Sequence, residues 1–479
     1  MADFNEQFEI RKKKLEKLKE TGLEPYPTKY EGGITVSAAV DMNEGETVRV
    51  AGRLMSRRMM GKAAFAHIKD STGQIQFYLK LDKTGTEVFK IFKDMDIGDF
   101  LGVEGEIFIT RTGEKTVLAE NMNFLSKALR PLPEKFHKLK DVETRYRKRY
   151  LDILVNEDSS KILKARAVAL SRIRELLTKK RYIEVETPIL QDIPGGAAAR
   201  PFITHHNVYD AELSLRIAPE LYLKRLIVGG WDRVFEIGRN FRNEGVSTRH
   251  NPEFTMIEIY CAYTDYKYMM SLSKELISEV WEEVRRAGYT PVIDFSKGWE
   301  ERNIWELLSH YSGSSISPED PIEVLREKAL KLDVPPGKDS SEKIVDRIFS
   351  KYVEPQLKEA TFVTGYLSDN SPLAKRSPDD LRIAERFEIF AAGQEIGNAY
   401  SEQNDPIIQR NMFEMQVENY DDPEQPKKVD EDYLEALEYG MPPASGLGIG
   451  IDRLLMLMTG AESIREVILF PMLKPFSEE

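Results

Sequence analysis

Cysteine is almost absent from this chain. A single Cys261 among 479 residues cannot close an internal disulfide, and six scattered histidines form no Cys/His cluster at zinc spacing, so any metal is expected to have oxygen ligands. Long apolar runs are missing too: every one is broken by charge well short of the ~18 residues needed to cross a bilayer, and no membrane segment is expected. Met1 to Glu20 is charged and helix-patterned rather than signal-like, which makes the cytoplasm the expected location. Nor is there an excess of positive charge. The formal net charge is −12, which excludes a uniformly basic surface but not local basic patches. What remains, 41% apolar and 31% charged residues, is the composition of a globular protein, in a chain long enough for two or three domains.

The N-terminal 1–30 read as a basic amphipathic helix. Phe4, Phe8, Leu15 and Leu18 share a stripe, and Arg11, Lys12, Lys13, Lys14, Lys17 and Lys19 surround it; the face either contacts nucleic-acid phosphates or is only solvated. Pro25, Pro27, Gly32 and Gly33 end that pattern. Residues 31–127 form the next unit, in which 48–58, 63–69 and 74–80 alternate at period two. A helix follows through Val88, Ile91, Phe92 and Met95, then strands at 99–110 and 115–124, the pattern of a five-stranded OB-type barrel. Alternation puts Phe65 and Tyr78 on the polar face beside Arg53, Arg57 and Arg58. Aromatics among cations suit stacking of unpaired bases; the plainer alternative is an aromatic covered by a loop.

Residues 128–150 are a basic linker, and 151–479 the large domain, opening with a helix at roughly 158–180. Ile183 and Val185 alternate with Glu184 and Glu186 in a strand that Pro188 closes. Residues 233–244 and 254–263 make a hairpin whose one side gathers Arg242, Glu244, Phe254, Glu258 and Tyr260. So many ionisable groups on a core-forming sheet are costly unless paired with one another or liganded. Residues 264–360 are largely helical, with Trp281, Trp299 and Trp305 as packing anchors and a helical insertion at about 300–360. At 385–402 a second hairpin turns at Ala392-Gly-Gln394. Asn398, Tyr400 and Glu402 share a face, which Glu388 and Glu395 join if a bulge at Gly397 corrects the parity. Two carboxylates near a phosphate suit magnesium. Finally, Gly446-Leu-Gly-Ile-Gly-Ile-Asp-Arg453 runs a glycine-rich strand into an apolar helix. Arg453 in its first turn faces an unfavourable dipole, which a nearby polyanion or a structural ion pair would relieve.

Three of these stretches resemble the signature motifs of class II aminoacyl-tRNA synthetases: Tyr182–Leu190 the first, Phe241-Arg-Asn-Glu244 with Arg249, His250 and Phe254 the second, Gly446–Arg453 the third. Gly195-Gly196, Arg200–His206, Ala218–Lys224 and Glu395–Asn398 are similar to marks of the bacterial lysyl-type subgroup, and the resemblance covers essentially the whole chain. It implies an α+β chain, with an anticodon-binding OB barrel and a catalytic domain built on an antiparallel sheet flanked by helices. It also implies a homodimer that activates L-lysine with ATP and magnesium and transfers it to tRNA(Lys).

By the same resemblance, Arg242 grips the α-phosphate and the amino acid carboxylate, with Arg242 and Arg453 as the catalytic residues. Glu244, Arg249, His250, Phe254 and Arg453 complete the ATP set, Phe254 stacking the adenine. Glu388 and Glu395 are implied magnesium ligands. Gly196, Glu220 and Glu258 hold the lysine α-amino end, while Tyr260, Asn398, Tyr400 and Glu402 form the side-chain pocket. Arg58, Phe65, Gln76 and Glu120 read the anticodon. Two departures stand out: Arg181 occupies a place often held by glycine, and Ala399-Tyr400 replaces a glycine-phenylalanine pair of some relatives. An aspartyl- or asparaginyl-type synthetase would want a cation in place of Glu402. A lysine-attaching enzyme acting on a translation factor would lack the barrel, and a non-catalytic tRNA-binding paralogue would lack Arg242, Arg453 or the carboxylates.

Overall fold

The computed structural model describes all residues except 1, 134–138, 198, 338–339, 420–427 and 475–479. It divides into two compact units, Met1–Lys138 and Leu139–Glu479.

In the first unit five strands close a barrel in the order β1-β2-β3-β5-β4: β1 (Thr47–Met60), β2 (Ala63–Lys69), β3 (Gln74–Lys80), β4 (Phe100–Ile109) and β5 (Lys115–Ser126). The period-two pattern explains the closure. Ala64, Ala66 and Ile68 of β2 and Ile75, Phe77 and Leu79 of β3 point inward and are buried, packed with Phe92 from the helix Leu81–Asp94.

The N-terminal helix Ala2–Glu20 is fastened to this barrel by the very cations that could have met a nucleic acid. Arg11 is buried and donates to the carbonyls of Ile97, Ala128 and Arg130, Lys14 pairs with Asp96, and Lys17 pairs with Asp94. These three are engaged with the barrel itself, which neither the phosphate reading nor the solvated-face reading anticipated. In the linker, Lys135 and Lys138 lie outside the described residues, while Arg145, Arg147 and Arg149 belong to short helices of the second unit. Arg149 is buried, paired with Asp152 and donating to the Leu469 carbonyl, and so serves packing rather than phosphate contact.

The second unit is built on an eight-stranded sheet in the order β12-β13-β14-β15-β16-β11-β10-β6. Its strands are β6 (Ile183–Glu184), β10 (Arg233–Phe241), β11 (Glu253–Ala262), β12 (Glu300–Asn303), β13 (Thr361–Thr364), β14 (Arg386–Ala391), β15 (Gln394–Ser401) and β16 (Ala444–Gly450). A small second sheet pairs β7 (Leu190–Gln191), β9 (Ala211–Leu215) and β8 (Ile203–His206). One face of the large sheet, with Ile257, Ile259, Ile389, Leu447 and Ile449, is sealed by the helices Glu157–Lys179, Tyr266–Arg286 and Ile451–Thr459. Trp281, Trp299 and Trp305 are all buried. Helices Ile304–Ser312, Ile322–Lys331 and Ser341–Tyr352 pack a satellite core beside the sheet edge.

The stretch 180–190 departs from the single strand read in the sequence. Only two residues pair at β6 and two more, in the other sheet, at β7. Between them Thr187 turns away to bond Glu236, and Ile183 stays exposed at the sheet edge. No helix among the described residues is long and apolar enough to cross a membrane.

Candidate active site

The open face of the large sheet carries the site. On β11, Glu258 and Tyr260 point away from the helix-covered core that takes Ile257 and Ile259, and Met256 joins them at the cavity wall. On β14 and β15 a bulge does what parity required. Ile389 pairs with Gly397 and Phe390 with Glu395, leaving Ile396 as the extra residue, one position before the Gly397 named from the sequence. Glu395 thereby joins Asn398 and Tyr400 on one face, opposite Glu388, which pairs with Asn398. The turn itself is Ala392-Gly393, both at positive φ (50° and 71°), the geometry of a tight hairpin.

Two cavities meet on this face. One, of about 440 Å³, is lined by Gly196, Glu220, Glu258, Tyr260, Asn398 and Tyr400, together with Glu388 and Glu395. The other, of about 140 Å³, is lined by Glu244, Arg249, His250, Phe254 and Arg453. Arg242, Glu395 and Asn398 border both. Glu402 is not itself part of the lining; it is buried beside the lining residues Gly446 and Tyr260, where a Cβ added to Gly446 would clash with both its Oε1 and the Tyr260 ring, so glycine is what lets the backbone pass this close.

Arg242 follows β10, anchored by its backbone N–H to Pro252 O (2.9 Å), and its guanidinium lies over Phe254, 5.0 Å from the ring centre. Its Nε is buried without a hydrogen-bond partner, and burial pulls the group below the usual arginine range although Glu244 and Glu395 oppose this. A cation held so poorly satisfied, facing open space, is an anion site. Arg453 stands in the first turn of Ile451–Thr459, where Asp452 bonds Arg166 and the Thr255 amide and so locks helix to sheet. It donates to the Glu395 carbonyl (2.9 Å), lies 3.4 Å from that residue's carboxylate and contacts His250 Nε2 at 3.1 Å. Burial and Arg453 push His250 below its ordinary range, which keeps the imidazole a neutral acceptor. Arg249 reaches Glu354 (3.4 Å) and the Gly393 carbonyl (3.2 Å).

The carboxylates are unequal. Glu258 is pushed up to about 8, first by burial and then by Glu220, although Tyr260 donates to it at 3.0 Å. Glu388 is pushed up to about 7, by burial against the opposing Arg386 and by Glu395. Its two oxygens accept from Arg386 (2.5 Å) and Tyr366 (2.9 Å), a clamp the sequence reading missed. Missed as well was Lys224, fully buried, which pairs with Glu220 at 2.6 Å and with Glu402. The i,i+4 spacing of Glu220 and Lys224 on the helix Glu220–Val228 was the available signal.

In the barrel, Phe65 stacks on Tyr78 with ring centres 4.3 Å apart and planes at 17°, and Arg58 is exposed directly opposite Phe65. Glu120 is exposed at a bulge of β5. Three other residues expected on this face make bonds within the barrel. Gln76 is buried with its amide spent on Glu114 and Thr116, Arg57 donates to the carbonyls closing the helix Leu81–Asp94, and Arg53 donates to Gly98 O over Phe100.

Residues 141–474 match the family of tRNA synthetases class II (D, K and N), and residues 48–125 the OB-fold nucleic acid binding domain. The chain belongs to the class II tRNA synthetases. Among similar curated proteins, the lysine–tRNA ligase of Pelotomaculum thermopropionicum is 50% identical over 99% of this chain and 96% of its own length. Those of Syntrophomonas wolfei (48%; 98% and 97%) and Bacillus subtilis (46%; 98% and 98%) match over similar spans. The acidic cavity, the arginine at its mouth and the arginine-rimmed second cavity share lining residues and form one contiguous candidate site.

Proposed function

We infer that this protein is a lysine–tRNA ligase, which joins L-lysine to ATP as lysyl-adenylate, releases pyrophosphate and passes lysine to the 3′ end of tRNA(Lys). The observation that carries the reading is Arg242, a half-buried guanidinium whose Nε lacks a hydrogen-bond partner, at the junction of an acidic cavity and an arginine-rimmed one. Lysine's two ammonium groups suit Glu220, Glu258 and Glu402. The ATP triphosphate suits Arg249 and Arg453, and Phe254 offers the adenine a stacking face.

The chemistry needs no general base, because the lysine carboxylate is already ionised when it attacks the α-phosphorus. Catalysis then comes from positioning and charge neutralisation. Arg242 presents a planar fork that brings the two anionic reactants together, and Arg453 offsets charge on the departing pyrophosphate. The residues present fit magnesium: Glu388 and Glu395 line the same cavity, Glu395 raises the proton affinity of Glu388, and magnesium commonly takes one or two carboxylates plus phosphate oxygens. When bound there it would neutralise charge on the phosphates. A ribose hydroxyl of the tRNA finally displaces AMP.

Exposed Ile183, Ile189, Leu190 and Ile203, clustered around the first motif and the small sheet, favour a homodimer through that region. The cytoplasm is the compartment proposed for it. Lysine-dependent ATP–pyrophosphate exchange without tRNA, followed by charging of tRNA(Lys), tests the reading.

A further inference from the structure

Lys224 has no part in the chemistry above, yet it is the most completely buried cation near the site. Its side chain is 0% exposed, and its ammonium touches two carboxylates from different elements, Glu220 on its own helix at 2.6 Å and Glu402 at the end of the β15 hairpin arm. It also lies 5.3 Å from the ring centre of Tyr400. A lone buried lysine would lose its proton, whereas here the flanking carboxylates overcome burial and hold it charged.

The three carboxylates are each half used. Glu220 Oε1 takes Lys224 and the Tyr400 hydroxyl, while its Oε2 faces Gly196. Glu258 Oε2 takes the Tyr260 hydroxyl. Glu402 Oε2 takes Lys224, and its Oε1, pressed against Gly446, has no hydrogen-bond donor. Tyr433, from the helix Glu431–Glu438, is the remaining titratable group facing Lys224 and Glu402, and its hydroxyl is unpartnered. Once all three carboxylates are ionised, as an ammonium ligand favours, one internal cation leaves two of their charges uncompensated. An amino acid with a single ammonium leaves one carboxylate stranded, and one with two ammonium groups closes the balance, its own carboxylate being met by Arg242.

We propose that Lys224 is a specificity-determining positioning residue: it fixes the pocket two positive charges short and leaves Glu402 Oε1 free, so that only a diammonium amino acid completes the site. This rests on the lysine–tRNA ligase reading. Burial already raises the proton affinity of Glu402 and Lys224 opposes it, so removing that cation lets Glu402 hold its proton to higher pH and accept uncharged side chains more readily.

The test compares ATP–pyrophosphate exchange by the parent protein, Lys224→Met and Lys224→Arg between pH 6.5 and 9, with lysine and with norleucine, active sites being titrated separately. For Lys224→Met the expected result is a KM for lysine at least tenfold higher at pH 7, a KM for ATP within about twofold, a lysine deficit that shrinks as pH rises, and lysine-over-norleucine discrimination reduced at least tenfold. Lys224→Arg should hold the lysine KM within about threefold and keep the parent pH profile. A lysine deficit equal at every pH with unchanged discrimination, or a loss confined to the number of active sites, would overturn the role. If Lys224→Met does not fold, Lys224→Arg decides: a tenfold or greater rise in lysine KM at all pH values refutes the proposal. No lysine-dependent exchange by the parent protein would instead overturn the ligase reading beneath it.

Discussion

The guanidinium of Arg242 lies 5.0 Å over the ring of Phe254, with its Nε buried and unbonded. Aromatic face and cation hold each other at the one place where both cavities open, so the ring that would stack a base also fixes the fork that would grip a phosphate. Arg242→Lys keeps the charge but loses the planar, two-pronged geometry and the stacking. Exchange activity is predicted to fall about 10²- to 10³-fold, the scale of losing one oriented transition-state donor. The unfolding midpoint should change little. Activity within about fivefold of the parent would show that Arg242 acts as a simple point charge.

The raised Glu258 gives the site a pH signature. Its carboxyl stands at about 8 in the folded protein, against about 4.3 for a free glutamate. Between these values the folded chain holds a proton that the unfolded chain has released, so this group's contribution to stability falls as pH rises through that window. An ammonium ligand favours the ionised form. Lysine affinity should therefore rise between pH 6.5 and 8, and binding near pH 7 should expel protons. Calorimetry in buffers of different ionisation enthalpy measures this directly, and a buffer-independent binding enthalpy with flat affinity would contradict it.

On the barrel, the stacked Phe65 and Tyr78 are the proposed platform for a base. Phe65→Ala is predicted to weaken tRNA(Lys) binding by about 1–3 kcal/mol, the usual contribution of one base stack. Exchange without tRNA should be untouched. An equal loss in both assays would mean that the aromatic pair only supports the barrel.

Arg181 sits at φ +64°, closing the helix Glu157–Lys179 with its amide bonded to Thr178 O (2.9 Å) and the next amide to Leu177 O (3.0 Å). Glycine adopts this left-handed geometry without steric cost, and any other residue pays about 1–2 kcal/mol. After glycine's larger unfolded-state entropy is subtracted, Arg181→Gly should stabilise by about 0.5–1 kcal/mol. The denaturant midpoint should rise with an unchanged slope; a lower midpoint would show that the Arg181 side chain makes a contact worth more than the strain.

The barrel and both hairpins were legible because period-two burial leaves a direct trace. Ala64, Ile68, Phe77 and Leu79 had to face one way, and Phe65 and Tyr78 the other. Even the bulge was visible, since Glu395 has the wrong parity to join Asn398 without one extra residue. What the pattern could not supply was the partner of each charge. Arg11, Arg57 and Arg149 read as free cations because the carbonyls they cap lie far away along the chain. Gln76 read as a base contact because Glu114 and Thr116 approach only once the barrel closes. Lys224 was silent for the same reason: its second carboxylate, Glu402, arrives on another hairpin, and only the folded sheet places the two together.

If the acidic cavity takes lysine and the adjoining one takes ATP, ATP–pyrophosphate exchange with each of the twenty amino acids in turn, magnesium present and tRNA absent, will be specific to one of them. Exchange is expected with lysine, and none of comparable rate with the other nineteen. Exchange led by aspartate or asparagine, or none at all from folded protein, would contradict it.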